Sequence, residues 1–390
     1  MPVLVDYVFQ FLRLRTYKSS ITLLIFQMSG NGYPNPTTKL RKLSENLDIQ
    51  IKKFAYIFPY SCEIKNKALP LHQQIPPASR KISVPSGTFL FMGVRYTNQA
   101  ITTEQQIDIL RERGLLIDNV EQAIEILDNI SYFRLAGYWR HFEANRITHQ
   151  FRVGSYFADI IDLYSFDKEL RALLFTAIQT IEVSVRTKII KHFALEFGAF
   201  WFMDESHATN GTRFDANLSV IRKEVSRSHD DFITEHFRKY SEPDLPPVWK
   251  TLEVISMGTL SKLYSNFSDA TAKHAVAREF GLNHHKFLRS WLECLAVLRN
   301  CCAHHSRLSN RVFPVKPMMP ERMPHTWITD FSFREQALYP QLCYVVYWLN
   351  SVTPDNTFVR DFKQLLTKHP SVKTQLLGFP HNWEQEPLWR

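Results

Sequence analysis

One stretch constrains the fold of this chain more than any other. Residues 159–198, DIIDLYSFDKELRALLFTAIQTIEVSVRTKIIKHFALEFG, place apolar side chains three and four residues apart through roughly ten helical turns. Spacing of this kind is typical of a helix that buries one face. Because an average helix has only about three to four turns, we predict a long pair of helices or a kinked rod here.

Most of the remaining sequence has the same helical spacing, and strand signals are almost absent. One helix is predicted to start at Thr103 and to end at Gly114, where glycine favours termination. Another is predicted from Val248 to Leu263. A later helix is predicted to begin after Asn283, which is a suitable N-cap residue. These patterns together predict an all-α fold.

The chain divides into three parts. Five prolines between residues 56 and 90 indicate irregular chain, so residues 1–91 are predicted to form a poorly structured extension. Residues 92–150 form an accessory helical region in this interpretation, and residues 151–390 form the main helical bundle. Two interpretations of the extension stay open: it is either a real, poorly folded basic extension, or the result of a mis-assigned start, with the true start at Met92.

Most of the net positive charge lies in that extension. Residues 1–91 carry 12 Lys and Arg against 4 Asp and Glu, whereas residues 92–390 carry 35 against 34. The formal net charge of +9 is therefore a poor argument for a polyanion partner of the helical part.

The cysteines and the apolar stretches indicate the compartment. The number of cysteines, five, is odd and their spacing is irregular, unlike the disulfide framework of a secreted domain. No run approaches the roughly 20 apolar residues that cross a bilayer, and the N-terminal segment lacks the order of a signal peptide. We expect a cytoplasmic protein without a membrane partner.

The segment VLRNCCAHHSRLSN, residues 297–310, concentrates the side chains that could carry chemistry. On a helical wheel, Arg299, Asn300, His304 and Arg307 fall on one side. The opposite side is mostly apolar and should pack inward. We therefore expect the polar side to be the functional one.

The two adjacent histidines separate on this wheel. His305 falls with the core-facing residues and is interpreted as a packed, hydrogen-bonded structural histidine, whereas His304 shares the polar side. If either ring takes part in catalysis, His304 is the expected one.

A metal site and a thiol nucleophile are the first alternatives for this segment. A zinc site is disfavoured because Cys301 and Cys302 are adjacent, so they point about 100° apart on a helix, and the chain has no C-x2-C pair. Arg299 could favour a thiolate, but both thiols fall on the apolar side, where burial raises the pKa of a thiol. We expect small buried hydrophobes, no metal ion and no cofactor. His284 and His285, at the start of the same helix, are expected to be solvated.

What remains is an arginine and a histidine that suit metal-free cleavage of RNA. That reaction needs a group of near-neutral pKa to move the 2′-hydroxyl or leaving-group proton, and a cation to stabilise charge on the phosphorus centre. His304 and Arg299 supply these two functions, and Asn300 can orient the imidazole or contact phosphate. On the spacing alone, the alternative of a polar surface helix end stays open.

Five sequence blocks resemble, in the same order, the Abi-like family of bacterial abortive-infection proteins, AbiD/AbiF type, within the HEPN superfamily of RNases. They are ITTEQQIDILRERGLLI, ISYFRLAGYWRHFE, YSFDKELRALLFTAIQTIEVSVRTKII, PPVWKTLEVISMGTLSKLY and LRNCCAHHSRLSNR. The resemblance covers residues 94–313 well and the last helices loosely. It implies a HEPN-type helical bundle with an R-x4-6-H motif.

The resemblance assigns Arg299 as the motif arginine, Asn300 as the polar residue that follows it and His304 as the motif histidine. Superfamily members usually pair two motifs in one composite site, and this chain has one copy, so the resemblance implies a homodimer. The family typically begins close to YTNQAITTEQQ, which supports a start at Met92. One departure is Ser309, where the family often has an aromatic residue.

The segment YFRLAGYWR, residues 132–140, has two interpretations. Its aromatic side chains could stack bases while Arg134 and Arg140 contact phosphates. Core packing of Tyr132 or Phe133 over Trp139 is the preferred alternative for the aromatic residues. Arg134, Arg140 and Arg307 are the candidate RNA-binding residues.

Two ion pairs with i,i+4 spacing occur in the long helical stretch. Asp167 with Arg171 is interpreted as an ordinary surface pair. Glu182 with Arg186 is interpreted in the same way, with a buried pair inside the bundle as the alternative.

These observations predict a metal-independent endoribonuclease that acts in phage defence, with RNA as substrate. The second hypothesis is a non-catalytic RNA-binding protein that holds a structured non-coding RNA, and it predicts salt-sensitive binding without products. A third hypothesis is a helical scaffold that regulates a partner enzyme.

Overall fold

The computed structural model describes residues 96–390, which belong to one compact unit. The predictions for residues 1–91 and for a start at Met92 lie outside the described residues. The helices are α1 (Thr103–Glu112), α2 (Val120–Asn129), α3 (Tyr132–Trp139), α4 (Phe157–Phe197), α5 (Gly211–Arg227), α6 (Asp231–Lys239), α7 (Val248–Val254), α8 (Met257–Asn266), α9 (Ala270–Arg278), α10 (His285–Ala303), α11 (Leu338–Val352) and α12 (Phe358–Lys368).

Short 3₁₀ turns and one hairpin complete the regular structure. The turns are Trp201–Met203, Glu205–His207, Thr374–Leu377, Trp383–Gln385 and Pro387–Trp389, and strands β1 (Glu143–Asn145) and β2 (Gln150–Phe151) pair antiparallel. The prediction of an all-α fold is confirmed for the described residues.

Helix α4 is the centre of the fold. It is one continuous helix of 41 residues, so the predicted helix pair was wrong, and a kink within the rod stays a prediction. The segment contains no proline or glycine that would interrupt it, and it ends at Gly198, whose φ of 85° a residue with a side chain rarely adopts. At a rise of 1.5 Å per residue the helix is roughly 60 Å long.

Helix α4 contacts α3, α7, α9, α10, α11 and α12 along its length. These contacts bury its apolar residues at intervals of three and four, including Leu163, Phe166, Leu170 and Leu174. Burial of this broad face against six helices stabilises a helix this long by tertiary packing.

Helix α10, which carries the motif segment, is packed on most of its circumference. It contacts α4, α8, α9 and α11. The indole of Trp291 is fully buried, lies 5.6 Å from the ring of Tyr344, and donates a hydrogen bond to the carbonyl of Met318 at 2.9 Å. The helix therefore has little freedom to move relative to α4.

The region from 248 to 284 differs from the predicted one. The single helix predicted from Val248 to Leu263 is two helices, α7 and α8, because the backbone is extended at Ile255 and Ser256. The hydroxyl of Ser256 accepts from the N–H of Thr259 at 3.3 Å and so caps α8. The N-cap of α10 is His284, one residue later than predicted.

The predicted accessory region packs against the long helix. Helix α1 begins with the N-cap Thr102 in a capping box, and Gly114, with φ 88°, follows its end as predicted. The boundary predicted between residues 150 and 151 falls inside β2, where Phe151 packs on Trp139. The division into two domains stays a prediction.

Among residues 96–390, no helix has both the length and the apolar character needed to cross a membrane.

Candidate active site

Helix α10 ends at Ala303 in a Schellman motif. The N–H of His305 donates to the carbonyl of Cys302 at 3.2 Å, and the N–H of Ser306 donates to the carbonyl of Cys301 at 2.8 Å. His305 has a φ of 54°, in the left-handed position that glycine usually occupies in this motif. The chain therefore turns away from the helix axis immediately after the motif residues.

This helix end changes the environment of two residues. His305 is exposed, so the prediction that it packs in the core was wrong: the helical wheel was extended past the last helical residue. Arg307 also lies beyond the helix and does not share a helical face with Asn300.

His304 is the residue that caps the helix. Its backbone N–H donates to the carbonyl of Asn300 at 3.0 Å, and this hydrogen bond fixes the position of the α-carbon from which the side chain extends. Its imidazole is exposed, and it makes no hydrogen bond to any residue in 96–390. The ring is therefore accessible to a substrate from outside.

Arg299 is held between two side chains of α4. Its Nε lies 4.0 Å from Oε2 of Glu182, and its guanidinium carbon lies 6.0 Å from the ring centre of Phe175. Its Nη1 also donates to Oδ1 of the exposed Asn300 at 3.5 Å. The side chain is 35% exposed, so the guanidinium is positioned from one side and accessible from the other.

The carboxylate of Asp167 anchors the loop after the motif. Its two oxygens accept from the backbone N–H groups of Leu308 at 2.9 Å and Ser309 at 2.8 Å. The same carboxylate accepts from the hydroxyl of Tyr138 at 3.0 Å and from Nη1 of Arg171 at 2.6 Å. All of its partners are donors, as a buried charge requires.

Arg171 extends this anchor toward His304. Its Nη1 donates to the carbonyl of Ser306 at 3.2 Å. Burial raises the pKa of the Asp167 carboxyl, while its backbone donors, Arg171 and Tyr138 oppose that shift. Asp167 and Arg171 are both buried, so the prediction of a surface pair was wrong.

Glu182 and Arg186 form a second buried pair on α4, as the alternative interpretation of the sequence held. Oε1 of Glu182 accepts from Nη2 of Arg186 at 2.5 Å, and Arg186 also donates to the carbonyl of Leu252. Glu182 therefore faces two cations, because its other oxygen faces Arg299.

The segment 132–140 forms helix α3 and lies beside the motif loop. Tyr138 and Trp139 are buried, as core packing predicted, but Phe133 is 84% exposed. Nη1 of Arg134 donates to the carbonyl of His305 at 3.0 Å. Arg140 is exposed at the end of the helix. An exposed aromatic ring and two basic side chains thus lie next to the motif.

Arg307, the third candidate RNA contact, is half-buried. It lies against Gly137, where a β-carbon would be 3.5 Å from its Nε, and it donates to the carbonyl of Ser309. Its guanidinium supports the loop, and its role in RNA binding stays a prediction.

The thiols of the motif are inaccessible. Cys301 and Cys302 are buried, and burial raises the pKa of the Cys302 thiol to about 12. A neutral buried thiol is a weak nucleophile. Among residues 96–390, the motif cysteines and histidines do not form a cluster that could hold a metal ion.

The position of Asp167 among apolar residues is a sequence signal for a buried carboxylate, which its i,i+4 spacing from Arg171 does not reveal. Asp167 lies one residue after Phe166 and three before Leu170, on the buried face of α4. A carboxylate on an apolar face needs buried donors. Its partners at residues 308 and 309 follow 141 and 142 positions later, so the pattern could indicate an anchor but not its target.

Residues 125–310 match the model of a protein family described as Abi-like protein. Over this range the chain is similar to Abi-like proteins. The match confirms the resemblance of the sequence blocks that lie within residues 125–310, and the family description suggests abortive infection, a form of phage defence. No curated protein and no solved structure significantly matches the chain.

The Abi-like region contains the complete candidate site. It includes helix α3, helix α4 with both buried ion pairs, and helix α10 with the motif loop. Helices α11 and α12, which follow the region, pack against α4 and do not contribute residues to the site as described.

Proposed function

We propose that this Abi-like chain is a metal-independent endoribonuclease of the HEPN type that acts as a phage-defence effector. The observation that carries the proposal is the pair of accessible side chains at the end of α10: the imidazole of His304 is exposed, and the side chain of Arg299 is 35% exposed, with its Nε 4.0 Å from Oε2 of Glu182. An imidazole and a fixed cation are the two groups that metal-free RNA cleavage requires.

In this mechanism His304 takes the proton of a ribose 2′-hydroxyl. The 2′-oxygen then bonds to the adjacent phosphorus while the bond from phosphorus to the 5′-oxygen breaks. Arg299 stabilises the negative charge that develops on the phosphate oxygens, and Asn300, which already contacts Arg299, orients the phosphate. The products are a 2′,3′-cyclic phosphate and a 5′-hydroxyl, which receives a proton.

A homodimer would supply the second proton-transfer group. Next to Arg299, the outer face of α4 presents Phe175 and Val183, which are 40% and 57% exposed, together with the uncharged Thr176 and Gln179. Packing of this face on a second copy would bury apolar surface. It would also bring two copies of the motif arginine close to one scissile phosphate, with His304 of the second copy available to protonate the 5′-oxygen.

Cleavage of RNA in EDTA by the purified chain tests the proposal. We expect His304→Ala to lower the cleavage rate by about 100-fold or more, because it removes the proton-transfer group. The matched control is His229→Ala, which removes an exposed histidine between α5 and α6 and should leave the rate unchanged. Cleavage that is as fast in His304→Ala as in the unsubstituted chain would contradict the assignment.

A second candidate function is RNA binding without cleavage. It is favoured by the exposed ring of Phe133 next to Arg134 and Arg140, an arrangement that suits stacking and phosphate contact. In that case RNA should remain intact, affinity should fall steeply with salt, and Phe133→Ala should weaken binding while His304→Ala should not.

A further inference from the structure

Three histidines meet where α9 connects to α10. His274 lies on α9, His284 is the N-cap of α10, and His285 is its first residue. Their ring centres are 4.5 to 4.7 Å apart, and one nitrogen from each ring lies within 4.8 Å of the other two. All three residues are half-buried, so the prediction that His284 and His285 are solvated was wrong.

The ring nitrogens of the cluster are available as ligands. Nδ1 of His284 accepts from the backbone N–H of Lys286 at 3.1 Å, which leaves its Nε2 free and fixes the orientation of the ring. Nδ1 of His285 is buried and has no hydrogen-bond partner among the described residues. A buried polar atom without a partner is uncommon in a folded protein and requires an explanation.

We propose that His274, His284 and His285 bind one zinc ion through three imidazole nitrogens. Imidazole is a preferred ligand of zinc, with Zn–N distances of about 2.0–2.1 Å, so the nitrogens of a tetrahedral site lie about 3.3 Å apart. The present separations need only a small closure of the rings to reach that geometry. A water molecule or another external ligand would take the fourth position.

The surroundings of the cluster determine how strongly the ion binds. The pKa of His285 is lowered to about 4, and that of His274 is lowered as well, mainly because burial disfavours their charged forms. This lowering favours the neutral form of His274 and His285, which is the form that binds metal. The nearby cations Lys273 and Arg289 oppose a bound ion, so we expect weaker binding than at a four-ligand structural site.

The ion would act as a clamp and not as part of the candidate active site. It would join α9 to the N-terminus of α10, whereas His304 lies nineteen positions later, roughly 28 Å along the helix. The proposal goes beyond RNA cleavage and does not depend on it. Cleavage in EDTA and zinc binding by the cluster can succeed or fail separately.

Zinc titration of the chelator-treated full chain tests this site. We expect one Zn²⁺ per chain by calorimetry, and a rise in unfolding temperature when zinc is added in excess. His274→Ala should weaken zinc binding by about 100-fold, as loss of one of three ligands implies. The exposed His229 provides the matched control, and His229→Ala should bind zinc as the unsubstituted chain does.

X-ray absorption on the zinc-loaded, unsubstituted chain provides a measurement that needs no variant. We expect three imidazole ligands and no sulfur in the zinc shell. Circular dichroism of His274→Ala shows whether that variant is folded before its titration is compared. The proposal is overturned by the absence of stoichiometric binding, by equal affinity in a folded His274→Ala chain, or by sulfur ligands in the spectrum.

Discussion

Asp167 and Glu182 lie on the same helix, and each has an arginine four residues later, yet they support the candidate site in different ways. The Asp167 carboxylate binds backbone N–H groups of the loop after His304. The Glu182 carboxylate accepts a hydrogen bond from the side chain of Arg186, and its other oxygen lies 4.0 Å from Nε of the motif arginine. One residue fixes the path of the chain, and the other fixes the position of a guanidinium.

The difference follows from burial. Asp167 is fully enclosed and its charge is compensated only inside the protein, so its loss leaves buried donors without an acceptor. The side chain of Glu182 is 15% exposed and that of Arg299 is 35% exposed, so water can replace part of their interaction. We therefore expect Asp167 to act mainly on stability and Glu182 mainly on cleavage.

The largest effect is expected for Asp167→Asn. An amide cannot compensate the charge of Arg171 or satisfy all four donors, and breaking a buried ion pair typically costs about 3–5 kcal/mol. Urea unfolding followed by circular dichroism measures the free energy of unfolding. A decrease in the free energy of unfolding below about 1 kcal/mol would mean that water or another residue replaces the carboxylate. Asp167 and Glu182 would then no longer differ in their contribution to stability.

A smaller loss of stability is expected for Glu182→Gln. The amide oxygen can still accept from Arg186, so we expect a loss of about 1–2 kcal/mol. If the proposed function holds, RNA cleavage should fall by about 10-fold because Arg299 loses its anchor. Comparison of Glu182→Gln, Arg299→Ala and the variant with both substitutions tests whether Glu182 acts through Arg299. If it does, the effects of the two substitutions on the cleavage rate should be non-additive.

The smallest effect is expected at a carboxylate that contacts α4 from the surface. Glu279 lies near Lys188, Lys191 and His192, and its side chain is 27% exposed. These contacts, first the hydrogen bond from Lys188, lower the pKa of Glu279 to about 2. A lowered pKa means that the stabilisation is present above the ordinary value of 4.5 and is lost as the pH falls toward 2.

Glu279→Gln isolates this contribution. Near pH 6 we expect the variant to be less stable by about 1 kcal/mol, because solvent screens the contacts. The difference should shrink as the pH falls from 4.5 toward 2, and paired urea titrations of both chains at each pH measure it. A difference that stays constant over this range would show that Glu279 contributes through packing instead of charge.

Helices and the polar side of the motif could be predicted from sequence because both depend on neighbours within four residues. Arg299, Asn300 and His304 follow from the spacing of one helix, and the accessible side chains lie where that spacing placed them. The environment of His305 could not be predicted in this way. The end of α10 depends on a left-handed residue, and sequence patterns expect glycine there.

The contacts behind the site depend on residues far apart in sequence. Asp167 and Arg171 have the spacing of a surface pair, and only the packing of the loop at 306–309 on α4 makes them a buried anchor. The cluster of His274 with His284 and His285 could not be predicted from the sequence for a similar reason. It requires helix α9, which the sequence patterns did not indicate.

The left-handed turn at His305 makes the direction of the following chain independent of the helix that positions His304. In a continuous helix, both would be set by the same axis. Because Arg134 and Arg171 hold that departing segment from other helices, its course can shift through changes at positions remote from the motif. If the proposed function holds, such changes would alter how far the His304 ring reaches toward RNAs of different shape while the motif residues stay the same.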